Sequence, residues 1–267
     1  MKIAVFTSNL PRHLSLVETM AGIADEVFAI QECRTIRPGE VDGFIRQSAT
    51  MQRYFTKVND AERQVFGDVR FLPGNVRQLA LERGDLQRSG VTGLLAPALT
   101  ADVIVVFGAS YIKSPLIEAL VGRRAVNIHM GLSPYYRGNS CNFWAIRDGR
   151  PDLVGATIHM LSKGLDSGAI LFHALPEPAE VDGFLLGMRA VRAAHLALAR
   201  RIADGSLFAH DPVPQDRGLE KRYTRAADFT DADAEAFLAD PPAAEAILRG
   251  CQSPPEARQL VQAVFAA

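Results

Sequence analysis

The chain has 267 residues, and its 29 lysines and arginines against 30 aspartates and glutamates give a formal net charge of -1. This length can bury a sizeable core, and the charge balance excludes the global basic field typical of nucleic-acid-binding proteins. Cys33, Cys141 and Cys251 are too widely spaced for a disulfide framework or a structural zinc site. No apolar run is long enough for a signal-peptide core or a membrane span. We therefore expect a soluble, cytoplasmic protein with three reduced thiols.

The first half of the chain predicts strands that alternate with helices. Short β-branched apolar runs indicate the strands, and apolar residues at helical spacing indicate the helices. In order, these elements are a strand at 2–7, a helix at 11–24, a strand at 25–30, a helix at 49–66, a strand at 68–73 and a helix within 84–97.

The alternation continues through the second half. The run "ADVIVVFGAS" is apolar throughout its middle, as expected of a strand buried on both faces. The later elements are a helix, a strand at 125–130, a helix at 139–149, strands at 154–161 and 169–176, and a long helix at 182–205. This order predicts an α/β fold with a mostly parallel sheet flanked by helices, and the two strands after residue 150 are close enough to pair antiparallel.

The composition of the sequence changes after residue 205. A Pro-rich, charged segment at 210–230 predicts a loop or short hairpin, and helical patterns follow at 231–238 and 254–265. Roughly sixty residues with few strand formers are too few for an independent second domain. We expect one catalytic domain at 1–205 and a loop and helical extension at 206–267.

Three polar residues are expected to meet at the carboxyl edge of the sheet, where ligands bind in open α/β folds. The strand "AVNIHM" places Asn127 and His129 on one side of the sheet because side chains alternate along a strand. Asp166 stands between Gly164 and Gly168 in a turn that can bring a carboxylate to the same edge. An amide, an imidazole and a carboxylate can thus converge, and no nucleophilic serine or cysteine is required.

This trio suits acyl transfer to an external amine. When an amine attacks a formyl carbon, the Asn127 amide and a protonated His129 can stabilise the resulting oxyanion. Asp166 would raise the pKa of His129 and take up the proton that the amine loses, directly or through water. This chemistry needs no metal.

At these residues the chain resembles the folate-dependent formyltransferases. The similarity rests on Asn-x-His, the Ser-Pro-Tyr-Tyr-Arg-Gly turn, the helix with Trp144 and "GATIHMLSKGLDSGAIL", and it is densest from 101 to 175. The family includes glycinamide ribonucleotide, methionyl-tRNA and sugar N-formyltransferases. The resemblance implies a Rossmann-like formyltransferase fold, N10-formyltetrahydrofolate as formyl donor without a metal, and Asn127, His129 and Asp166 as the catalytic trio.

The sequence departs from the family pattern at positions that bear on which acceptor the protein binds. Gly131-Leu132-Ser133-Pro134 replaces Ser-Leu-Leu-Pro, and Cys141 stands where a proline is usual. The chain also lacks the Gly-rich phosphate loop of the purine members, and its tail is too short and helical for the tRNA-binding domain of the methionyl-tRNA members. We therefore expect a small-molecule acceptor, a nucleotide-linked amino sugar, with no nucleic acid or membrane partner; a homodimer is a candidate assembly.

Two alternatives remain open. The acceptor could instead be an amino-acid-derived amine of the hydroxyornithine type. The competing class is a catalytically inactive folate- or nucleotide-binding protein on the same fold. Retention of all three catalytic residue types favours an enzyme, because a pure binder has no need of an oxyanion donor and a base together.

Binding residues are predicted from the loops that leave the strands beside Asn127. Apolar walls and main-chain amides around "FGASYIK" and "MLSKGLD" suit a flat, hydrogen-bonding pterin. The predicted donor-binding residues are Phe107, Gly108, Ser110, Tyr111, Ile112, Leu161, Gly164 and Leu165.

The acceptor is assigned to polar residues in two loops. Asn9, Arg12 and His13 lead into the first helix, where an anion would meet free N–H groups, although Asn9 could be a plain helix cap. Arg137 could bind an acceptor phosphate or tie the turn through hydrogen bonds. We interpret His159, His173 and Trp144 as structural residues.

Overall fold

The computed structural model describes residues 1–35, 47–254 and 258–266. The strands in these ranges are β1 (Lys2–Thr7), β2 (Glu26–Cys33), β3 (Val76–Glu82), β4 (Val103–Val106), β5 (Val126–His129), β6 (Tyr136–Gly138), β7 (Ala156–Met160), β8 (Ile170–Pro176), β9 (Arg222–Thr224) and β10 (Val264–Ala266). The α-helices are α1 (Pro11–Ala21), α2 (Ala49–Phe66), α3 (Val91–Leu94), α4 (Leu116–Gly122), α5 (Cys141–Arg147), α6 (Gly183–Ala203), α7 (Asp231–Ala239) and α8 (Ala244–Gln252).

Eight strands form one sheet. Five of them run parallel in the order β3, β2, β1, β4 and β5. β7 then pairs antiparallel with β5, β8 pairs antiparallel with β7, and β10 lies parallel to β8 at the edge. The predicted α/β fold with a mostly parallel sheet is confirmed, as is the antiparallel pairing of the two strands after residue 150.

Apolar residues cover both faces of the sheet, which explains the unbroken apolar runs in its strands. In β1, Ile3 and Val5 belong to a core layer that also contains residues of α1 and α6. Ala4 and Phe6 point to the opposite layer, which contains Leu116 of α4. Helices therefore pack on both faces, and the carboxyl ends of the parallel strands are left open at one edge.

The C-terminal extension contributes to both sheets of the structure. β9 pairs parallel with β6 in a small two-stranded sheet, and β10 joins the large sheet beside β8. Ala234 and Phe237 of α7 and Ile247 of α8 are buried in the core cluster around α5. The extension is thus packed against the rest of the chain, while the domain boundary at residue 205 remains a prediction.

Two expectations in the first half are wrong. No strand forms at 68–73, where Phe71 is fully exposed, and the strand is instead β3. β3 is an edge strand with one neighbour, and its charged residues hide the apolar pattern carried by Leu79 and Leu81. In place of one continuous helix over 84–97, the segment contains a 3₁₀ turn at Asp85–Gln87 and the single-turn α3, separated by residues 88–90.

The helix expected at 254–265 is also wrong where the structure describes it. Residues 255–257 lie outside the described ranges, residues 258–263 form no helix, and Val264–Ala266 is the strand β10. Backbone pairing with β8 outweighs the helical spacing of the apolar residues at this sheet edge. The other terminal helix, α7, is confirmed, and α8 was not predicted.

Neither of two further features is present within residues 1–35, 47–254 and 258–266. No helix there combines the length and apolar character needed to cross a bilayer. Likewise, no group of three or more histidine, cysteine, aspartate or glutamate side chains in those ranges is arranged to hold a metal ion.

Candidate active site

The three residues predicted to be catalytic, Asn127, His129 and Asp166, meet where β5 ends. Asn127 and His129 point to the same side of β5. Ile128, between them, points to the other side and is buried in the core. The loop between β7 and β8 brings Asp166 to them. Its Oδ1 lies 3.3 Å from Nδ2 of Asn127, and its Oδ2 lies 3.4 Å from Nδ1 of His129. The amide, imidazole and carboxylate therefore form one connected cluster.

The Asp166 loop has a conformation that its sequence explains. Asp166 adopts a left-handed φ of 45°, which aspartate tolerates better than most residues. Gly168 must approach the chain closely, because a Cβ there would lie 1.7 Å from the carbonyl oxygen of Met160. These two features turn the carboxylate back over β5.

Electrostatic interactions within the cluster favour charged forms of both partners. Burial lowers the pKa of His129, but the neighbouring Cys141 sulfur and the Asp166 carboxylate outweigh burial and raise it above its usual range. Burial raises the pKa of Asp166, but hydrogen bonds and charges from His129 and His159 hold it below its usual range. The site thus maintains an imidazolium beside a carboxylate at neutral pH, which is the charge state that an oxyanion donor needs.

A cavity of about 340 Å³ opens beside the trio, and all three residues line it. Its other walls come from the loop after β4 and the loop between β7 and β8. All eight residues assigned to the formyl donor line this cavity: Phe107, Gly108, Ser110, Tyr111, Ile112, Leu161, Gly164 and Leu165. Their role in donor binding remains a prediction, but the structure brings them together with the trio.

Ser110 is fixed in this cavity wall by a buried carboxylate. Glu32, at the end of β2, accepts hydrogen bonds from the backbone N–H and the hydroxyl of Ser110, at 2.6 and 2.7 Å. It also accepts one from the N–H of Gly84 at 2.7 Å. Glu32 therefore ties the loops that contain Gly84 and Ser110 to the end of β2 and holds the wall of the cavity in place.

The residues assigned to the acceptor are dispersed. Asn9 exchanges hydrogen bonds with the backbone of Arg34, at 2.7 and 2.8 Å. Arg12 forms an ion pair with Glu62 at 2.8 Å. Arg137 forms one with Glu220 at 2.8 Å and lies over the Tyr223 ring, so it ties the turn to the C-terminal extension.

His13 differs from the expectation of a positive group at the acceptor site. It is buried beneath Gly108, where an added Cβ would lie 2.4 Å from its Nε2. Burial, together with the charge of Arg12, holds the pKa of His13 well below its usual range. His13 is therefore an uncharged core imidazole and supplies no positive charge to a phosphate. The acceptor roles of Asn9, Arg12 and Arg137 remain predictions.

A second cavity, of about 290 Å³, adjoins the first. Met130 and Ser140 line both cavities, and Arg12, Cys141 and Asn142 line the second. Its aromatic lining consists of Tyr54, Phe55, Phe143, Phe184, Phe229 and Phe237. Phe143 packs edge-on against Phe229 with ring centroids 4.8 Å apart. A largely apolar chamber thus lies next to the catalytic edge.

Sequence reasoning interpreted His159 as a structural residue and did not consider Gln215, yet the structure places both beside the trio. His159 faces Asn127 across the antiparallel β5–β7 pair, and its Nε2 lies 3.0 Å from Nδ2 of Asn127 and 3.8 Å from Oδ1 of Asp166. Gln215, in the extension, donates from Nε2 to the carbonyl oxygens of Asp166 and Gly168, both at 2.9 Å. The pairing of β7 with β5 could have suggested His159, whereas nothing in the sequence pointed to Gln215.

We expect Gln215→Met to lower kcat by about 25-fold, because methionine keeps the length and packing of the side chain but cannot donate to the two loop carbonyls. A lost hydrogen bond of this kind costs about 1 kcal/mol, which is about fivefold, and two are lost. Steady-state kinetics and thermal unfolding check this, with Gln87→Met as a control at a distant position. Unchanged kcat in Gln215→Met would show that these hydrogen bonds do not position Asp166.

The chain is similar in sequence to known formyltransferases. Residues 86–180, which contain the trio, match a family model described as formyl transferase. The chain is 31% identical over 183 residues to methionyl-tRNA formyltransferase of Synechococcus sp. (strain JA-3-3Ab), covering 67% of this chain and 54% of that relative. It is 32% identical over 148 residues to methionyl-tRNA formyltransferase of Anaeromyxobacter dehalogenans (strain 2CP-C), covering 52% and 47%. The chain spans about half the length of these curated relatives.

Solved structures share the fold. A 4-N formyltransferase from Francisella tularensis matches with a TM-score of 0.53 and 19% identity, over 85% of this chain and 77% of that one. A formyltransferase from Anoxybacillus kamchatkensis, solved with UDP-4,6-dideoxy-4-formamido-L-AltNAc and tetrahydrofolate, matches with a TM-score of 0.50 and 16% identity, over 94% and 100%. At these identities the likeness concerns the fold.

Fold and site together define a Rossmann-like α/β protein with an amide, imidazole and carboxylate trio at the edge of its sheet. Residues 86–180, the stretch that matches the formyl transferase family model, contain the whole trio.

Proposed function

We propose that this protein is an enzyme that transfers a formyl group from N10-formyltetrahydrofolate to a primary amine. The observation that supports this most directly is the position of the trio on the wall of the 340 Å³ cavity, together with all eight residues assigned to the donor. Apolar side chains such as Ile112, Ile117 and Leu161 line this cavity beside backbone segments. That combination fits a flat pterin with hydrogen-bonding edges.

In this mechanism, the trio would stabilise the negative charge that develops on the formyl oxygen and would accept the proton that the amine loses. Asn127 and the protonated His129 donate hydrogen bonds to the formyl oxygen as negative charge develops there. In the structure both nitrogens of His129 already have partners, Asp166 and Cys141, and Nδ2 of Asn127 contacts Asp166 and His159. The formyl oxygen would therefore replace one partner of each group.

Asp166 has a second task in this mechanism. The attacking amine must lose a proton as its bond to the formyl carbon forms, and the nitrogen that leaves must gain one. Asp166 is the carboxylate in the cluster, and it accepts that proton directly or through water. His129 beside it keeps the carboxylate ionised until the proton arrives.

The acceptor we favour is a nucleotide-linked amino sugar. Support comes from the Anoxybacillus kamchatkensis formyltransferase of the same fold, which was solved with a UDP-linked formamido sugar. In this chain, Arg12 lines the second cavity, which shares Met130 and Ser140 with the cavity that the trio lines. An acceptor phosphate would compete there with Glu62 for the guanidinium.

One observation favours a second candidate, an amine on an amino-acid-derived molecule with an apolar body. The second cavity has six aromatic side chains, and its arginine is already neutralised by Glu62. A chamber of this kind accommodates an alkyl or ring group more readily than a pyrophosphate.

A competition experiment separates the two acceptors. The protein is incubated with N10-formyltetrahydrofolate and a panel of amines, and release of tetrahydrofolate is followed. For a nucleotide-linked acceptor, we expect a free nucleoside diphosphate to inhibit competitively, and Arg12→Gln to raise the acceptor KM about tenfold or more while the folate KM is unchanged. No inhibition and an unchanged acceptor KM would contradict this acceptor and favour the apolar amine. No release with any amine would contradict formyl transfer.

A further inference from the structure

A buried thiol contacts the catalytic imidazole. Sγ of Cys141 lies 3.6 Å from Nε2 of His129, whose Nδ1 lies 3.4 Å from Oδ2 of Asp166. Cys141 is the first residue of α5 and is only 2% exposed. Thiol, imidazole and carboxylate therefore form a continuous chain of three groups. Formyl transfer as described above makes no use of the thiol.

Gly131 creates the space for this contact. A Cβ at position 131 would lie 2.5 Å from Cβ of Cys141, 3.0 Å from its Sγ and 3.1 Å from Nε2 of His129. Any side chain at 131 would therefore push the sulfur and the imidazole apart. Gly131 and Cys141 are also two of the positions at which the sequence departs from the family pattern, and the structure shows that they form one arrangement.

The chemistry of such a chain of groups is that of an activated nucleophile. The positive charge of the His129 imidazolium favours the thiolate form of the neighbouring sulfur, and the Asp166 carboxylate stabilises that imidazolium in turn. Cys141 also lines the aromatic cavity of about 290 Å³. That cavity is large enough to admit a small reagent to the sulfur.

We propose that Cys141 is an activated thiol that small electrophiles and hydroperoxides modify, and that this modification blocks formyl transfer. With a hydroperoxide, the thiolate sulfur forms a bond to one peroxide oxygen and the O–O bond breaks. The departing oxygen takes up a proton from the His129 imidazolium, so that water or an alcohol leaves. The sulfur loses two electrons to become a sulfenic acid, and the peroxide gains them. The sulfenic acid occupies the space beside Nε2 of His129.

The reactivity is tested on the folded protein without a turnover assay. The protein is treated with iodoacetamide or hydrogen peroxide, and the modification rates of Cys33, Cys141 and Cys251 are measured by peptide mass spectrometry. We expect Cys141 to react about tenfold faster than the other two, although it is the most buried. His129→Ala should remove this advantage and leave Cys33 unchanged, and Asp166→Asn should reduce it.

Two outcomes would overturn the activated thiol. One is a Cys141 rate no higher than those of Cys33 and Cys251. The other is an unchanged Cys141 rate in both His129→Ala and Asp166→Asn, with thermal unfolding showing that the variants are folded. Two variants are used so that, if one of them fails to fold, the other still tests whether His129 and Asp166 activate the thiol.

The effect on turnover rests on the proposed function and is measured separately. We expect peroxide treatment to lower the turnover of the wild type in proportion to Cys141 modification, and dithiothreitol to restore it. Cys141→Ala should lose none of its own turnover under the same treatment. Full turnover with Cys141 modified would overturn the block. Absence of turnover in every sample would instead contradict the proposed function, while the modification rates would still stand.

Discussion

Asp166→Asn is expected to lower kcat by roughly 10³-fold, the range found when a general base is removed. The substitution removes the group that accepts the amine proton and the charge that stabilises protonated His129. Asparagine tolerates the left-handed φ of 45° at this position as aspartate does, so the loop between β7 and β8 should keep its shape. The chemical role is thereby separated from the folding of the loop.

The same variant should change the pH dependence of turnover. Protonated His129 is the required form, so turnover falls as pH rises through the pKa of His129, which the neighbouring negative groups raise. Removing the Asp166 charge lowers that pKa, and the alkaline decline should therefore move to lower pH. The kcat profile of wild type and variant measures this. A profile that keeps its alkaline limit, or turnover close to that of the wild type, would rule out the role given to Asp166.

His129→Ala is the second large effect that we expect. Loss of one oxyanion donor lowers kcat by about 10²- to 10³-fold, with a smaller change in the folate KM because the donor loops remain intact. His129 is 7% exposed, so some loss of stability accompanies the cavity that alanine leaves. Thermal unfolding of the variant separates that loss from the catalytic effect.

An exposed histidine provides the matched control. His210 lies in the extension, outside the regular elements and away from both cavities. His210→Ala should keep the turnover and stability of the wild type. If His129→Ala and His210→Ala had the same kcat, His129 would not be the oxyanion donor.

Much of the site could be predicted from local patterns. The period of two along β5 places Asn127 and His129 on one side, and the resemblance to the formyltransferases pointed to Asp166 in the next loop. The structure joins the three at hydrogen-bonding and ion-pair distances. Alternation of strands and helices predicted the parallel sheet, because parallel strands require crossovers of this kind.

The remainder depends on long-range contacts that no local pattern encodes. His159 reaches the site through the register of β7 against β5, which places it opposite Asn127. Gln215 lies 49 residues from Asp166 in sequence, and only the packing of the extension brings it there. The apolar spacing around the terminal strand β10 predicts a helix. Pairing with β8 at the edge of the sheet makes the segment a strand instead.

Transfer of a labelled formyl carbon tests formyl transfer most directly. N10-formyltetrahydrofolate labelled with carbon-13 in the formyl group is incubated with the protein and a panel of nucleotide-linked amino sugars and amino-acid-derived amines, and the products are analysed by mass spectrometry. We expect the label in the formamide of one acceptor class with the wild type and at least about a hundredfold less with His129→Ala. Label that stays on the folate with every amine, or that moves equally fast with His129→Ala, would contradict catalysis by this trio.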